Sequence, residues 1–458
     1  MKKLQVVFIA LFFVLLALPL VFFNWEENVV SEIDNRQLTN NPFGPNAEPG
    51  ADLTASLESY VQDRIGFRDE MILGYTLLND QLFHKMIHPL YEYGKDGYVF
   101  FKQKQNVQFG DYHIAFAEML AEIQDYCQAR DVPFLFVLNP EKAAVYPDKL
   151  RDGIHYDRSW VQQFEQKLDE LGVNYIDNTQ LLQDRRAEGE QVFNKVYNAG
   201  HWNDLGAFYG VNNILESLSG FFPSIQPNEL NDFAVTETLQ ETLLSSQFPI
   251  HEYEPTFGRL CELEVKTEEY DAEVARNSQH RGFGYFVNPE NVAAGAPKTL
   301  VFQGSYMNGM GYKFLQTGLG EYIYVHDYEN LMDFDYYFNI FQPECVVVEV
   351  AEYTVNSGYF NAERVENFSL NPVLTLDDAA RQADKQSLAP QIAEGERLST
   401  LTVSLPEGTR YAYLLSEGKT FDLIEGEQGW QASVEKENLS ADYTVVAVGA
   451  DGEQTRYR

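Results

Sequence analysis

The sequence predicts an α/β main domain, a mostly parallel sheet flanked by helices, with a small C-terminal all-β domain and an N-terminal transmembrane helix. Three observations predict it. Short apolar runs of strand length alternate with helical patterns through the middle of the chain, residues 398–458 switch to period-two alternation broken by turns, and an uncharged run follows Lys2 and Lys3.

The N-terminal run from Leu4 to Phe23 carries no charge, and Pro19 is its one helix breaker. At a rise of ~1.5 Å per residue it reaches about 30 Å, the thickness of a bilayer's hydrocarbon layer. The run continues through Phe22-Phe23-Asn24-Trp25 into Glu26-Glu27 without a small-x-small cleavage site, so residues 1–24 are expected to be a retained signal-anchor. Lysines before the span and acids after it place the rest of the chain outside the cell membrane.

Residues 25–50 are polar and turn-rich, including Pro49-Gly50, and read as a stalk or surface arm. A helical pattern covers about 52–85. The main domain is expected over 25–375, with helices near 111–130, 158–171, 204–218 and 308–318, and strands near 132–138, 173–176, 299–302, 322–326 and 345–350. Short apolar strands separated by helices indicate right-handed βαβ units. Residues 376–397 are polar and rich in Ala and Gln and read as a connecting segment, expected to be helical; five short strands of a small sandwich are expected over 398–458.

Formal net charge is -36, from 69 acids against 33 bases, which excludes nucleic-acid binding by electrostatic repulsion. The three cysteines Cys127, Cys261 and Cys345 are far apart and form no CxxC, so neither zinc nor a disulfide framework is indicated. Neither a metal nor a cofactor is expected.

Two segments hold candidate chemistry. The run Thr299 to Gln303 is a buried strand leading into Gly304-Ser305 and then a helix. In an open α/β sheet, ligands sit beyond the carboxyl ends of the strands, so Ser305 stands where a nucleophile would, with nearby backbone N–H groups available to an oxyanion. Its alternative role is to cap the next helix. The second segment, Asn198-Ala199-Gly200-His201-Trp202-Asn203-Asp204, places His201 just before a helix capped by Asn203 or Asp204. There it is either a general base or a loop histidine held by backbone hydrogen bonds. Asn139 ends a core strand, Asn308 starts the helix after Ser305, and Glu349 and Glu352 follow another core strand. All four are candidates for binding substrate, against a turn role for Asn139 and solvated strand-end roles for the two glutamates. Tyr322, Tyr324, Tyr328, Tyr336 and Tyr337 suit either sugar stacking or core packing.

A His-Trp loop followed later by a strand ending in Gly-Ser resembles the alginate O-acetyltransferase family and its relatives named for a DHHW motif, which have a permuted SGNH-hydrolase fold. Other shared stretches are Ser31-Glu32-Ile33-Asp34-Asn35-Arg36, Asp63-Arg64-Ile65-Gly66-Phe67-Arg68, Gly94-Lys95-Asp96-Gly97, Asn139-Pro140-Glu141-Lys142 with Tyr146-Pro147, and Gly206. The resemblance implies Ser305 as nucleophile, His201 as its base, and acyl transfer to hydroxyls of an extracellular polysaccharide. It also implies a membrane-bound O-acyltransferase-type partner that delivers the acyl group. The family carries an Asp two or three residues before this histidine, where this chain has Asn198 and Ala199. Asn198 then orients the ring without supplying charge, or Asp204 compensates from the other side, or Glu349 or Glu352 replaces the missing acid. The alternative is a non-catalytic glycan-binding or scaffold subunit, which predicts that His201 and Ser305 stand more than about 4 Å apart.

Overall fold

The computed structural model describes residues 2–31, 36–47, 52–88, 90–102, 107–241, 243, 248 and 250–458. Residues 32–35 of the stretch after the anchor, and Pro49-Gly50, lie outside the described residues.

The main sheet has seven strands: β1 (Phe134–Asn139), β2 (Tyr175–Asp177), β3 (Glu264–Val265), β4 (Phe283–Val287), β5 (Lys298–Gln303), β6 (Glu321–His326) and β7 (Cys345–Ala351). Their order is β2-β1-β7-β5-β6-β4-β3. The first five in that order run parallel, and β4 and β3 close one edge antiparallel. The antiparallel edge comes from the stretch 219–298, where no strand is legible from apolar periodicity. A hairpin of Phe233–Gln240 and Glu252–Arg259 lies in the same stretch.

The central strands are apolar at nearly every position because both faces are covered. Side chains alternate, so Phe134, Phe136, Leu300, Phe302, Val346 and Val348 join one core cluster, while Leu135, Val137, Val301, Cys345 and Val347 join the other. The first cluster takes in Trp160, Val161, Phe164 and Leu168 of the helix Ser159–Leu171, whose spacing puts them on one helical stripe. The second takes in Ala207, Val211, Ile214, Leu215 and Leu218 of the helix Asp204–Ser219. This layering sets the start of that helix, and therefore His201, at the carboxyl end of the sheet.

Beyond the main sheet the chain forms one eight-stranded sheet. Its order is Arg381–Ala383, Gln454–Tyr457, Thr444–Gly449, Thr409–Ser416, Lys419–Gly426, Gly429–Glu435, Leu398–Val403 and Gln391–Glu394. Both halves line a single core that includes Leu401, Leu414, Phe421, Val434 and Val445. The all-β region therefore begins before residue 398. The expected connecting helix is absent from 376–397, where Arg381–Ala383 and Gln391–Glu394 are strands, separated by a 3₁₀ turn and Pro390. Pairing of Arg381–Ala383 with Gln454–Tyr457 and of Gln391–Glu394 with Leu398–Val403 overrides the helix propensity of the Ala and Gln residues.

The N-terminal helix Lys2–Val21 is long and apolar enough to cross a bilayer, as an anchor or a signal sequence would be. The helical pattern at 52–85 is two helices, Leu53–Arg64 and Arg68–Phe83, broken at Gly66.

Candidate active site

Strand β5 ends at Gln303, Gly304 follows, and Ser305 opens a helical segment that passes through a π turn at Met307–Gly311 into the helix Tyr312–Gly318. Ser305 lies in the first turn, where backbone N–H groups have no acceptor within a helix. The histidine loop reaches the same edge from Asp204–Ser219. Asn203 is the cap of that helix, its side chain accepting from the Gly206 N–H at 2.9 Å. Trp202 is fully buried and donates from Nε1 to the Tyr306 carbonyl at 3.0 Å. The neighbour of the histidine is thus tied to the neighbour of the serine. Gly200 is required by close approach: a Cβ there would stand 2.2 Å from the Phe101 ring.

The side chains meet. His201 Nε2 is 2.8 Å from Ser305 Oγ, and His201 Nδ1 is 2.8 Å from Asn198 Oδ1. Asn198 points its Nδ2 at Met310 Sδ, 3.5 Å away, which leaves its carbonyl oxygen to accept from an Nδ1–H tautomer of the histidine. Nε2 is then the lone-pair nitrogen facing the serine hydroxyl. Asn198 has φ 45°, in the left-handed region that Asn tolerates better than most residues. Burial pushes the His201 imidazole down to about 4, and the Asn198 amide supplies no charge to raise it. Tyr353 places its hydroxyl 3.3 Å from Ser305 Oγ, and burial raises its pKa so that the phenol stays protonated.

The loop is held from behind. One carboxylate, Glu252, accepts from the backbone N–H groups of Lys195, Val196 and Tyr197 at 2.6, 2.8 and 3.0 Å. The buried Lys142 ammonium donates to the carbonyls of Lys195 at 2.8 Å and Val99 at 2.7 Å, and burial lowers its pKa to about 7.

The remaining sequence candidates divide. Glu349 lies directly behind the Gly304-Ser305 turn, accepting from Gly304 N at 2.9 Å and Asn139 Nδ2 at 2.6 Å. Both donors favour a charged carboxylate, but burial, followed by the Asp327 carboxyl, outweighs them and pushes Glu349 up to about 8. Asn139 is buried with both ends of its amide bonded, the oxygen accepting from Asn178 at 2.8 Å. Glu352 is buried against Arg158 Nε at 2.8 Å, Tyr156 OH at 2.6 Å and the Glu141 N–H at 2.7 Å. A sugar hydroxyl has no access to these three groups, so their expected substrate contacts give way to framework contacts. Asn308 is exposed, accepting from Gln303 at 2.7 Å. Asp204 is turned away from the histidine, held by Lys313 Nζ at 2.6 Å and the Phe257 N–H at 2.8 Å, so it does not replace the missing acid. Of the five tyrosines, Tyr322, Tyr328 and Tyr337 are buried core residues. Cys127 and Cys345 are buried thiols, and all three cysteines are free. Among the described residues no cluster of three or more His, Cys, Asp or Glu has the arrangement of a metal site.

Sequence reading passed over Tyr353, Glu252 and the pair His326-Asp327. Tyr353 follows a strand whose other residues it did single out. His326 ends β6 and Asp327 follows it, beside the Gly304-Ser305 turn: Asp327 Oδ1 is 3.0 Å from His326 Nδ1, and a Cβ on Gly304 would be 3.3 Å from Asp327 Oδ2.

Residues 92–289 match the family model described as the SGNH hydrolase-like domain of acetyltransferase AlgX. The chain is therefore similar to the family its motifs pointed to, and its main domain is SGNH-like, with mixed strand directions, followed by an all-β region. The matched stretch holds Asn139, Asn198 and His201 and stops before Ser305. No curated protein matches the chain in sequence. Among solved structures it is similar to Bacillus cereus PatB1 with a sulfonyl adduct, at 14% identity and TM-score 0.47, covering 61% of this chain and 99% of that one. The O-acetyltransferase domain of Pseudomonas putida AlgJ gives 15% identity and TM-score 0.42, covering 61% and 99%. A DHHW family protein from Eubacterium siraeum gives 14% and 0.42, covering 62% and 100%.

Proposed function

We propose that this protein is an extracytoplasmic O-acyltransferase or esterase that transfers an acyl group through Ser305 to hydroxyls of a cell-surface or exported polysaccharide. The observation that carries the reading is the unbroken relay Asn198–His201–Ser305, each link 2.8 Å, at the carboxyl edge of the parallel sheet. The family match over 92–289 supports acetyl as the group transferred.

In the first half-reaction His201 Nε2 takes the proton of Ser305 Oγ as the oxygen bonds to the acyl carbonyl carbon. The carbonyl oxygen gains the negative charge and is met by backbone N–H groups of the first helical turn and by the Tyr353 hydroxyl. The tetrahedral adduct expels the donor's alkoxide, which takes the proton back from Nε2. The acyl-serine is then attacked by a sugar hydroxyl, or by water in the esterase reaction, with the same imidazole moving the proton. Asn198 holds the tautomer this needs, but it does not stabilise the imidazolium as a carboxylate would.

The donor partner is taken to be a membrane-bound acyltransferase, and the apolar helix Lys2–Val21 supports a location at the membrane. A non-catalytic scaffold needs no hydroxyl-imidazole contact, and the 2.8 Å separation speaks against it.

The test is turnover of a chromogenic acetyl ester with sulfonyl fluoride labelling. The wild-type protein gains one sulfonyl group on Ser305, read by peptide mass, and Ser305→Ala loses both labelling and turnover. Undiminished turnover in Ser305→Ala overturns the assignment.

A further inference from the structure

The helix Arg68–Phe83 leaves most of its large apolar side chains open instead of turning them into a core. Met71, Tyr75, Leu78 and Leu82 recur at spacings of four, three and four, which puts them on one face. That face is open: together with Phe67 before it and Phe83 at its end, these side chains are between 39% and 68% exposed. Toward the protein the helix turns Thr76, which is buried, and Asp80, which accepts from Tyr93 OH at 2.6 Å, with Ile72 and Leu77 half-buried. The preceding helix Leu53–Arg64 adds exposed Leu53, Leu57 and Val61.

The occupant is indicated by what the two helices are fastened to. Their junction is bound to the outer end of the apolar N-terminal helix. Gly66 N donates to the Pro19 carbonyl at 2.9 Å, Asn24 N donates to the Arg64 carbonyl at 2.8 Å, and the Phe22 and Phe67 rings stand 5.0 Å apart. Gly66 has no room for a side chain, since a Cβ would lie 2.5 Å from the Phe22 carbonyl oxygen. The buried Arg64 guanidinium donates to the backbone carbonyls of Glu26, Leu38 and Thr39, locking the stalk to the same junction. If Leu4 to Phe23 spans the hydrocarbon layer, Phe22 lies at its outer boundary, and the open stripe begins at the residue touching Phe22.

We propose that the stripe Phe67–Met71–Tyr75–Leu78–Leu82 docks onto the outer surface of the lipid bilayer, so that the protein meets the membrane through this helix as well as its span. It rests on the anchor reading of the N-terminal helix, not on the acyl-transfer chemistry. Insertion here is driven by apolar area, because the charges along and beside the helix are mixed, Arg68 and Lys85 against Asp69, Glu70 and Asp80, and give anionic headgroups no net attraction.

The experiment uses the full chain in phosphatidylcholine liposomes. With Cys261→Ser as background, Leu78→Cys and, as an exposed control in the C-terminal sheet, Glu427→Cys each carry an environment-sensitive fluorophore, and an unchanged circular dichroism spectrum and thermal melt verify folding. Doxyl-labelled lipid is expected to quench the position-78 probe at least twofold more than the position-427 probe, with iodide in water showing the reverse order. Equal iodide quenching at both positions overturns the proposal. Protection of position 78 from both quenchers also overturns it, because the face is then covered by protein. N-terminal mass analysis separates the underlying reading: if the processed chain starts after the apolar helix, the anchor fails, and flotation of that form with phosphatidylcholine vesicles then decides the stripe, supported by co-flotation and overturned by its absence.

Discussion

The carboxyl edge of the main sheet and the core of the C-terminal sheet are built on opposite principles. The edge buries ionisable or strongly polar groups one behind another: Asn139, Lys142, Asp327, Glu349 and Glu352. The C-terminal region buries an apolar cluster with only the small uncharged groups Ser399, Ser416 and Asn438 beside it, and its buried carboxylate, Asp422, sits where it meets the main domain, accepting from Tyr126 OH at 2.6 Å. Burying such groups costs free energy unless each is partnered. The edge accepts that cost to hold a histidine, a serine and their backbone in register, whereas the C-terminal sheet bears no comparable load.

The largest effect expected from breaking this contrast is at the nucleophile. Ser305→Ala should lower ester turnover by about 10³-fold or more, with His201→Ala adding little to it, because the two act as a unit. Next is Asn198→Asp. Supplying a carboxylate to Nδ1 should raise kcat/KM by about tenfold, the difference between a neutral and a charge-assisted hydrogen bond to the ring. It should also move the acid limb of the pH profile. In the natural protein the imidazole must be neutral to act, and its depressed pKa keeps it neutral down to about pH 4. The profile of kcat/KM should therefore fall only near pH 4, and in Asn198→Asp it should fall at higher pH.

In the C-terminal core Phe421→Ala should cost about 3–5 kcal/mol in denaturant unfolding and leave kcat/KM of the folded protein within about twofold. The smallest effect is behind the nucleophile. Glu349→Gln turns an amide toward one of two donors, Gly304 N–H or Asn139 Nδ2, and should cost about 1–3 kcal/mol. The sign of its pH dependence follows from the raised pKa. Folded Glu349 keeps its proton up to about pH 8 while the unfolded chain loses it near the ordinary value, so stability from this group is present at low pH and is lost as pH rises to 8. Thermal melts from pH 5 to 8 should show a shallower decline in Glu349→Gln.

Legibility in the sequence followed the range of the interactions. The parallel strands, and the helices that start near Asp111, Ser159 and Asp204, were readable because burial on both faces writes continuous apolar runs and stripes into local sequence. Strands β3 and β4 and the strands at Arg381–Ala383 and Gln391–Glu394 were not, because edge pairing comes from distant partners and leaves little local pattern. The same divide runs through the site. Ser305 and His201 stood out because glycine, a strand end and a helix start announce them. Glu252 and Tyr353 act only through contacts made from elsewhere in the chain.

Sequence alone determined that an apolar helix precedes an acidic α/β chain, that a serine follows a strand and a histidine precedes a helix, and that the residue three before that histidine is an amide. Tertiary structure decided that Asn198, His201 and Ser305 share one hydrogen-bonded line while Asn139, Glu349 and Glu352 turn inward. The physical reason is that a side chain's protonation and reach depend on which distant groups burial brings beside it, and that is settled only when the sheet and its helices pack.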